Sequence, residues 1–218
     1  MVKRWGDTVN EQLQQHADWA STRAFLNVLC LRNKETAIHS ILVSDIAVKI
    51  GTALKISCNQ LVDLYTGALL HDIGKLAVPD AILFKPTKLD EAEQDVMMQH
   101  PIIGYNLLGR TAHLNAMPYI VLGHHERYDG MGYPLGLKGD DIHLLARICA
   151  VADTLAAMIT DRPYQQKVSI SAALKEVERC RSTQFDPKIV DALSLIDMEK
   201  IVVLDSFCAN DLRDIISL

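Results

Sequence analysis

Apolar positions recur at helical spacing along most of the chain, and no stretch alternates convincingly at the two-residue period of a half-buried strand. Leu13, Trp19, Phe25, Leu26 and Leu29 mark a helix over residues 8–30. A second helix is predicted from Glu35 to about Ile50, with Ile38, Ile41, Leu42, Ile46 and Val48 as apolar positions and Gly51 as its stop. A third, from about Asn59 to Asp72, is almost wholly apolar from Thr66 to Leu70. It should be the most buried element, delivering His71 and Asp72 where it leaves the core. Pro79 and Pro86 make residues 76–88 a loop with at most a short turn. Helical spacing resumes from Asp90 to about Gly109, with a break or fresh start at Pro101, and again over 114–125, ending in His124-His125.

Gly130, Gly132, Pro134, Gly136 and Gly139 then crowd into ten residues, the composition of an ordered loop with special backbone angles. Further helices are expected over Leu144–Thr160, Ser169–Cys180 and Pro187–Leu195, the last capped by Asp186. From Met198 to Leu218 a short apolar run, Ile201-Val202-Val203-Leu204, precedes a final helix. The pattern is all-α: an N-terminal helical extension over 1–30, a main domain over 31–196 and a short C-terminal extension over 197–218. That last piece is either an added element or half of a homodimer contact.

Two adjacent polar pairs, His71-Asp72 and His124-His125, fit this pattern poorly as packing. Neighbours on a helix point about 100° apart, so a stripe facing the core rarely wants both polar. A metal cluster does, because each member of such a pair can reach a different ion. The alternative is a satisfied buried polar network. His100 stands alone between the pairs, before Pro101. Imidazole and carboxylate without thiolate suit iron, manganese or zinc with little selectivity. Asp72 is a natural bridge, since its two oxygens can bind one ion each. Glu35 and His39 are four residues apart and share a helix face, a weak sign by itself.

Composition narrows the chemistry. A net charge of −5 over 218 residues argues against a broad DNA- or RNA-binding surface. Divalent ions would still let an acidic pocket take a small anion. Cys30, Cys58, Cys149, Cys180 and Cys208 are scattered and odd in number, as in a reduced, cytoplasmic protein. The N-terminus lacks the apolar core of a signal peptide, and no apolar run is expected to span a bilayer.

In order, His39, His71-Asp72, His100, His124-His125, Gly132-Tyr133-Pro134 and Asp153 resemble the HD-GYP subfamily of HD-domain phosphohydrolases. The likeness runs from Glu35 to Phe185-Asp186-Pro187 and takes in Ala152-Asp153 and Asp161-Arg162-Pro163-Tyr164. It implies an HD-domain-like helical bundle that hydrolyses a cyclic dinucleotide, chiefly cyclic di-GMP, with two or three iron or manganese ions. The product would be a linear dinucleotide, with GMP after a second cut. By the same resemblance the ligands would be His39, His71, Asp72, His100, His124, His125 and Asp153, with Glu35 serving a third ion, and three ions are favoured over two.

Lys75 would contact a phosphate oxygen or metal-bound hydroxide, one helical turn beyond His71 if the helix persists. Tyr133 would donate to the substrate phosphate or ribose, Gly132 would let the backbone approach it, and Arg162 would hold the dinucleotide. The glycine-rich loop is also a candidate face for signalling partners. Two positions depart from the subfamily's pattern: Ala156 replaces a common aspartate and Gln165 a basic residue. They keep cyclic GMP-AMP open as substrate, alongside a hydrolase of another nucleotide or a catalytically silent binding module.

Overall fold

The computed structural model describes residues 19–109, 116–161 and 166–198, and its elements are helical. In chain order they are α1 (Trp19–Arg32), α2 (Lys34–Ala53), α3 (Cys58–Leu69), a 3-10 turn (Ile73–Ala77), α4 (Asp80–Leu83), α5 (Glu91–Met97) and α6 (His100–Leu108). Then come α7 (Met117–Gly123), a 3-10 turn (Gly139–Asp141), α8 (Leu144–Ile159), α9 (Ile170–Arg179), α10 (Pro187–Ala192) and a last 3-10 turn (Leu193–Leu195). A single bridge, Arg181 with Phe185, is the nearest thing to β-structure among the described residues.

Side chains start several of these helices. Asn33 accepts from the Thr36 amide ahead of α2, and Ser57 forms a capping box with Gln60 ahead of α3. Asp90 and Glu93 form another ahead of α5, and Asp186 accepts from the Lys188 amide to cap α10, as its position predicts. Arg147 of α8 bonds the same buried Asp186 at 2.6 Å, tying α8 to the start of α10.

Two apolar clusters hold the bundle. The larger joins Leu42, Val43, Ile46 and Ile50 of α2 to Leu64 and Ala68 of α3, Ile120 of α7, and Ile148, Val151 and Leu155 of α8. The smaller joins Leu26 and Leu29 of α1 to Ile41, Leu69, Leu70, Ile73, Leu108 and Val121. Each fully buried Leu or Ile is worth about 1.5–3 kcal/mol over exposure, so residues just beyond Leu70 and Val121 leave from firmly anchored backbone. The burial of Leu26 and Leu29 also makes α1 part of the packed body that the sequence placed at 31–196. Arg32 strengthens this by donating to the Val78 carbonyl and Asp80, each at 2.8 Å.

Several boundaries differ from the sequence expectation. The second helix does not stop at Gly51 but runs to Ala53, because Gly51 is a contact point: a Cβ there would stand 3.0 Å from Leu61 and Leu64. The third ends at Leu69 instead of Asp72. As expected, by contrast, residues 80–83 make one short helical turn within the 76–88 loop, and the Asp90–Gly109 stretch breaks near Pro101, which lies in the first turn of α6. Lys34–Ala53 is long and apolar enough to cross a membrane by length and composition, contrary to the expectation of no such run. Most of it faces α3 and α8 in the core. Arg162, Gln165, the segment 1–18 and the tail 199–218 lie outside the described residues.

Candidate metal centre

Three histidines cap the ends of three different helices. His71 Nδ1 donates to the Ala68 carbonyl at 2.7 Å, His100 Nδ1 to Met97 at 2.8 Å, and His124 Nδ1 to Val121 at 2.7 Å. Carbonyls in the last turn of a helix have no intrahelical donor, and the imidazoles supply one. This fixes each ring as the Nδ1–H tautomer and leaves Nε2 as a bare lone pair. It also turns three negative helix ends, those of α3, α5 and α7, towards one place.

The Nε2 atoms converge on Asp72. Its Oδ1 is 3.3 Å from His100 Nε2 and 4.0 Å from His124 Nε2, while its Oδ2 is 3.4 Å from His71 Nε2 and 2.6 Å from Lys75 Nζ. His100 and His124 face each other with their Nε2 atoms 3.2 Å apart. His71 Nε2 is buried with no hydrogen-bond partner. Lone pairs aimed at one another and at a carboxylate repel unless a cation sits among them, so this donor set fits a metal.

The ligand atoms form two groups, Asp72 with His100, His124 and His125, and Asp72 with His39 and His71. Asp72 belongs to both. Asp153 of α8 joins the second, with Oδ1 2.8 Å from His39 Nε2 and 4.0 Å from His71 Nε2. The packing of α2 on α8 brings these two together across the bundle. Glu35, one turn before His39, is exposed and belongs to neither group.

The glycine-rich loop closes over the first group. The Tyr133 ring stacks on His125 with centroids 4.7 Å apart and planes 26° apart, and the Tyr133 amide donates to the His125 carbonyl at 3.2 Å. Gly132 makes the fit possible: a Cβ there would lie 2.3 Å from the Arg127 nitrogen and 2.6 Å from Glu126 Cα. Glu126 is 3% exposed, and its two oxygens accept from the Leu135 and Leu137 amides at 2.7 and 3.0 Å.

Comparison with known proteins agrees with this geometry. A family model described as the HD domain matches residues 12–189. The chain belongs to the HD-domain family. The cyclic di-GMP phosphodiesterase response regulator RpfG of Xanthomonas campestris is 44% identical over 153 residues, covering 69% of this chain and 40% of that protein. The 3'3'-cGAMP-specific phosphodiesterase 3 of Vibrio cholerae is 38% identical over 170 residues, covering 78% of this chain and 37% of that protein. The HD domain here therefore spans well under half the length of these relatives. An HDG"Y"P protein from Bdellovibrio bacteriovorus shares the fold, with a TM-score of 0.62 at 20% identity over 83% of this chain and 63% of that one. The relatives and the Gly132-Tyr133-Pro134 loop place this HD domain in the HD-GYP subfamily.

Electrostatics prepare the site for cations. Burial lowers His100 to about 3 and His125 to about 4, against the pull of Asp72 on both and of Asp153 on His125, while burial and then the neighbouring imidazoles hold His124 well below its ordinary value, so these lone pairs are free at neutral pH. Burial alone would raise Asp72, but Lys75 and the surrounding imidazoles hold it well below the usual carboxylate range. Asp153 is likewise pulled down against its burial, by His39 first. Burial and then the charges of Asp72 and Asp153 raise the Tyr133 phenol, which keeps it a donor.

Of the residues marked from sequence, His39, His71, Asp72, His100, His124, His125 and Asp153 come together, with Lys75 and Tyr133 beside them. Lys75 arrives by a 3-10 turn, not by a continuing helix. Ala156 is fully buried in the larger core, one turn beyond Asp153 on α8. His143 is exposed and caps α8 by accepting from the Leu145 amide. Glu126 was overlooked, because a glutamate in the polar run His125-Glu126-Arg127 reads as solvated. Its only sequence signal is its place directly after two ligand candidates and before the glycines.

Proposed function

We propose that this HD domain is a metal-dependent phosphodiesterase that opens a cyclic dinucleotide, cyclic di-GMP or its relative cyclic GMP-AMP, to a linear product. The observation carrying the reading is the shared position of Asp72: one oxygen turned to His100 and His124, the other to His71. Such a carboxylate suits two ions; the donors suit iron, manganese or zinc, and the likeness to HD-GYP sequences favours iron or manganese. A third ion drawing on Glu35 has less support, since Glu35 stands outside both groups. When bound, paired ions polarise a phosphodiester and lower the pKa of water to near neutrality.

The protein's own groups do the rest. His71, Asp72, His100 and His124 would hold the ions from helix ends that cannot shift without breaking the core. Lys75, a quarter exposed, can turn from Asp72 towards a phosphate oxygen and offset charge that develops there. Tyr133, kept protonated above His125, is placed to donate to the substrate. Arg162 belongs to the same reading as a dinucleotide contact. The free thiols of Cys30, Cys58, Cys149 and Cys180 fit a cytoplasmic enzyme.

Relatives named for cyclic di-GMP and for 3'3'-cGAMP support the substrate class without choosing between its members. Metal-loaded protein, prepared without oxygen, should convert at least one of the two to a linear dinucleotide resolved by chromatography. Tight binding of both without product would instead mark a receptor.

A further inference from the structure

A buried carboxylate is costly unless something answers it. Among the described residues, the hydrogen-bond partners of Glu126 are the Leu135 and Leu137 amides, one on each oxygen, and no lysine or arginine. Between those amides lies Gly136, at φ +66. Amides flanking such a left-handed residue form a concave seat for an anion. Here the anion is the chain's own side chain, and the seat is the far half of the glycine-rich loop.

The near half folds onto the same short segment. Gly130 donates to the Arg127 carbonyl at 2.9 Å, Tyr133 donates to His125 at 3.2 Å, and Gly132 lies flat on residues 125–127. Those ties are backbone ties. Among the described residues, Glu126 is the side chain that joins the 135–137 turn to the segment carrying His125.

We infer that Glu126 is the positioning residue of the loop: its enclosed carboxylate sets the loop's closed form and so holds Tyr133 against His125 at the edge of the metal centre. Its carboxylate bonds the Leu135 and Leu137 amides and acts on the site through Tyr133. The activity arm of the test rests on the cyclic-dinucleotide reading, and the exchange arm does not.

Glu126→Gln keeps the shape but sets an amide NH2 against a backbone N–H. Amide exchange at residues 135 and 137 should then quicken by about tenfold or more, while exchange in α8 and the metal content stay unchanged. Cyclic-dinucleotide kcat/KM should fall by about tenfold or more. In a Tyr133→Ala background the same change should cost little further, because the two act in series. Should Glu126→Gln fail to fold, Gly136→Ala attacks the same seat from the loop side and should give the same pattern.

Unchanged exchange at 135 and 137, lost metal, or a full additional penalty in the Tyr133→Ala background would each overturn the inference. Exchange that quickens as described in Glu126→Gln, alongside wild-type protein that cuts no cyclic dinucleotide, would sink the proposed function and leave the positioning of the loop standing.

Discussion

Gly74 is pressed against His100: a Cβ on Gly74 would stand 1.9 Å from the His100 carbonyl oxygen and 2.7 Å from the Gly104 nitrogen. The turn that follows Asp72 thus lies directly on the start of α6, and this contact sets the 3.3 Å separation of Asp72 Oδ1 from His100 Nε2. Gly74→Ala should force the two apart, at about 1–3 kcal/mol of overpacking. Bound metal per chain should drop with it, by elemental analysis of folded protein. Full metal content in a normally stable variant would contradict this account of how His100 is placed.

Lys75 should matter to rate and not to metal. Lys75→Met removes the cation 2.6 Å from Asp72 Oδ2 and leaves every ligand residue in place. We expect kcat to fall by about a hundredfold, the scale of losing one group that stabilises developing charge. Metal content should be kept. A kcat within twofold of wild type would restrict Lys75 to bracing Asp72.

The ligand pairs were legible because an apolar-packed stripe rarely carries two adjacent polar residues, and His71-Asp72 and His124-His125 stand at the ends of apolar runs. Periodicity alone could not find Asp153, which lies 114 residues from His39 and meets it only through the packing of α2 on α8. The likeness to HD-GYP sequences supplied it. The end of α3 was misplaced for a physical reason: the His71 ring bonds back to Ala68, so the polar pair caps the helix and does not extend it. Glu126 was illegible because its partners are backbone amides of Leu135 and Leu137, and nothing in the residue types there announces an anion seat.

Acid should destabilise the metal-free domain early. An unfolded histidine takes a proton below about pH 6.5, while folded His100 and His125 resist until about 3 and 4. The unfolded chain therefore binds more protons as pH falls through 6.5, and stability is lost from there downward. Asp72 adds a loss of the same sign as pH falls below the ordinary carboxylate value near 4. At pH 5 each such imidazole costs about 2 kcal/mol. Urea midpoints of chelator-treated protein at pH 7.5 and pH 5 measure it; equal midpoints would mean that these rings protonate freely in the fold.

Arg147 supports the fold at a distance from the chemistry. Its Nη1 bonds Asp186, 2% exposed, and Asp140 on the turn leaving the glycine-rich loop, each at 2.6 Å. Arg147→Ala takes the countercharge from a buried carboxylate and leaves it the Lys188 amide alone, and about 3–5 kcal/mol of stability should go, read as a lower urea midpoint. Metal content at low denaturant should be unaffected, since no ligand atom touches Arg147.

Asp72 decides between a metal enzyme and a fortuitous cluster. Protein made without oxygen should carry about two ions per chain, of iron or manganese, as expected of a paired-metal centre. Asp72→Ala, folded by circular dichroism, should lose both ions together with cyclic-dinucleotide hydrolysis. Elemental analysis showing undiminished metal in that variant, with turnover intact, would contradict the account at its centre.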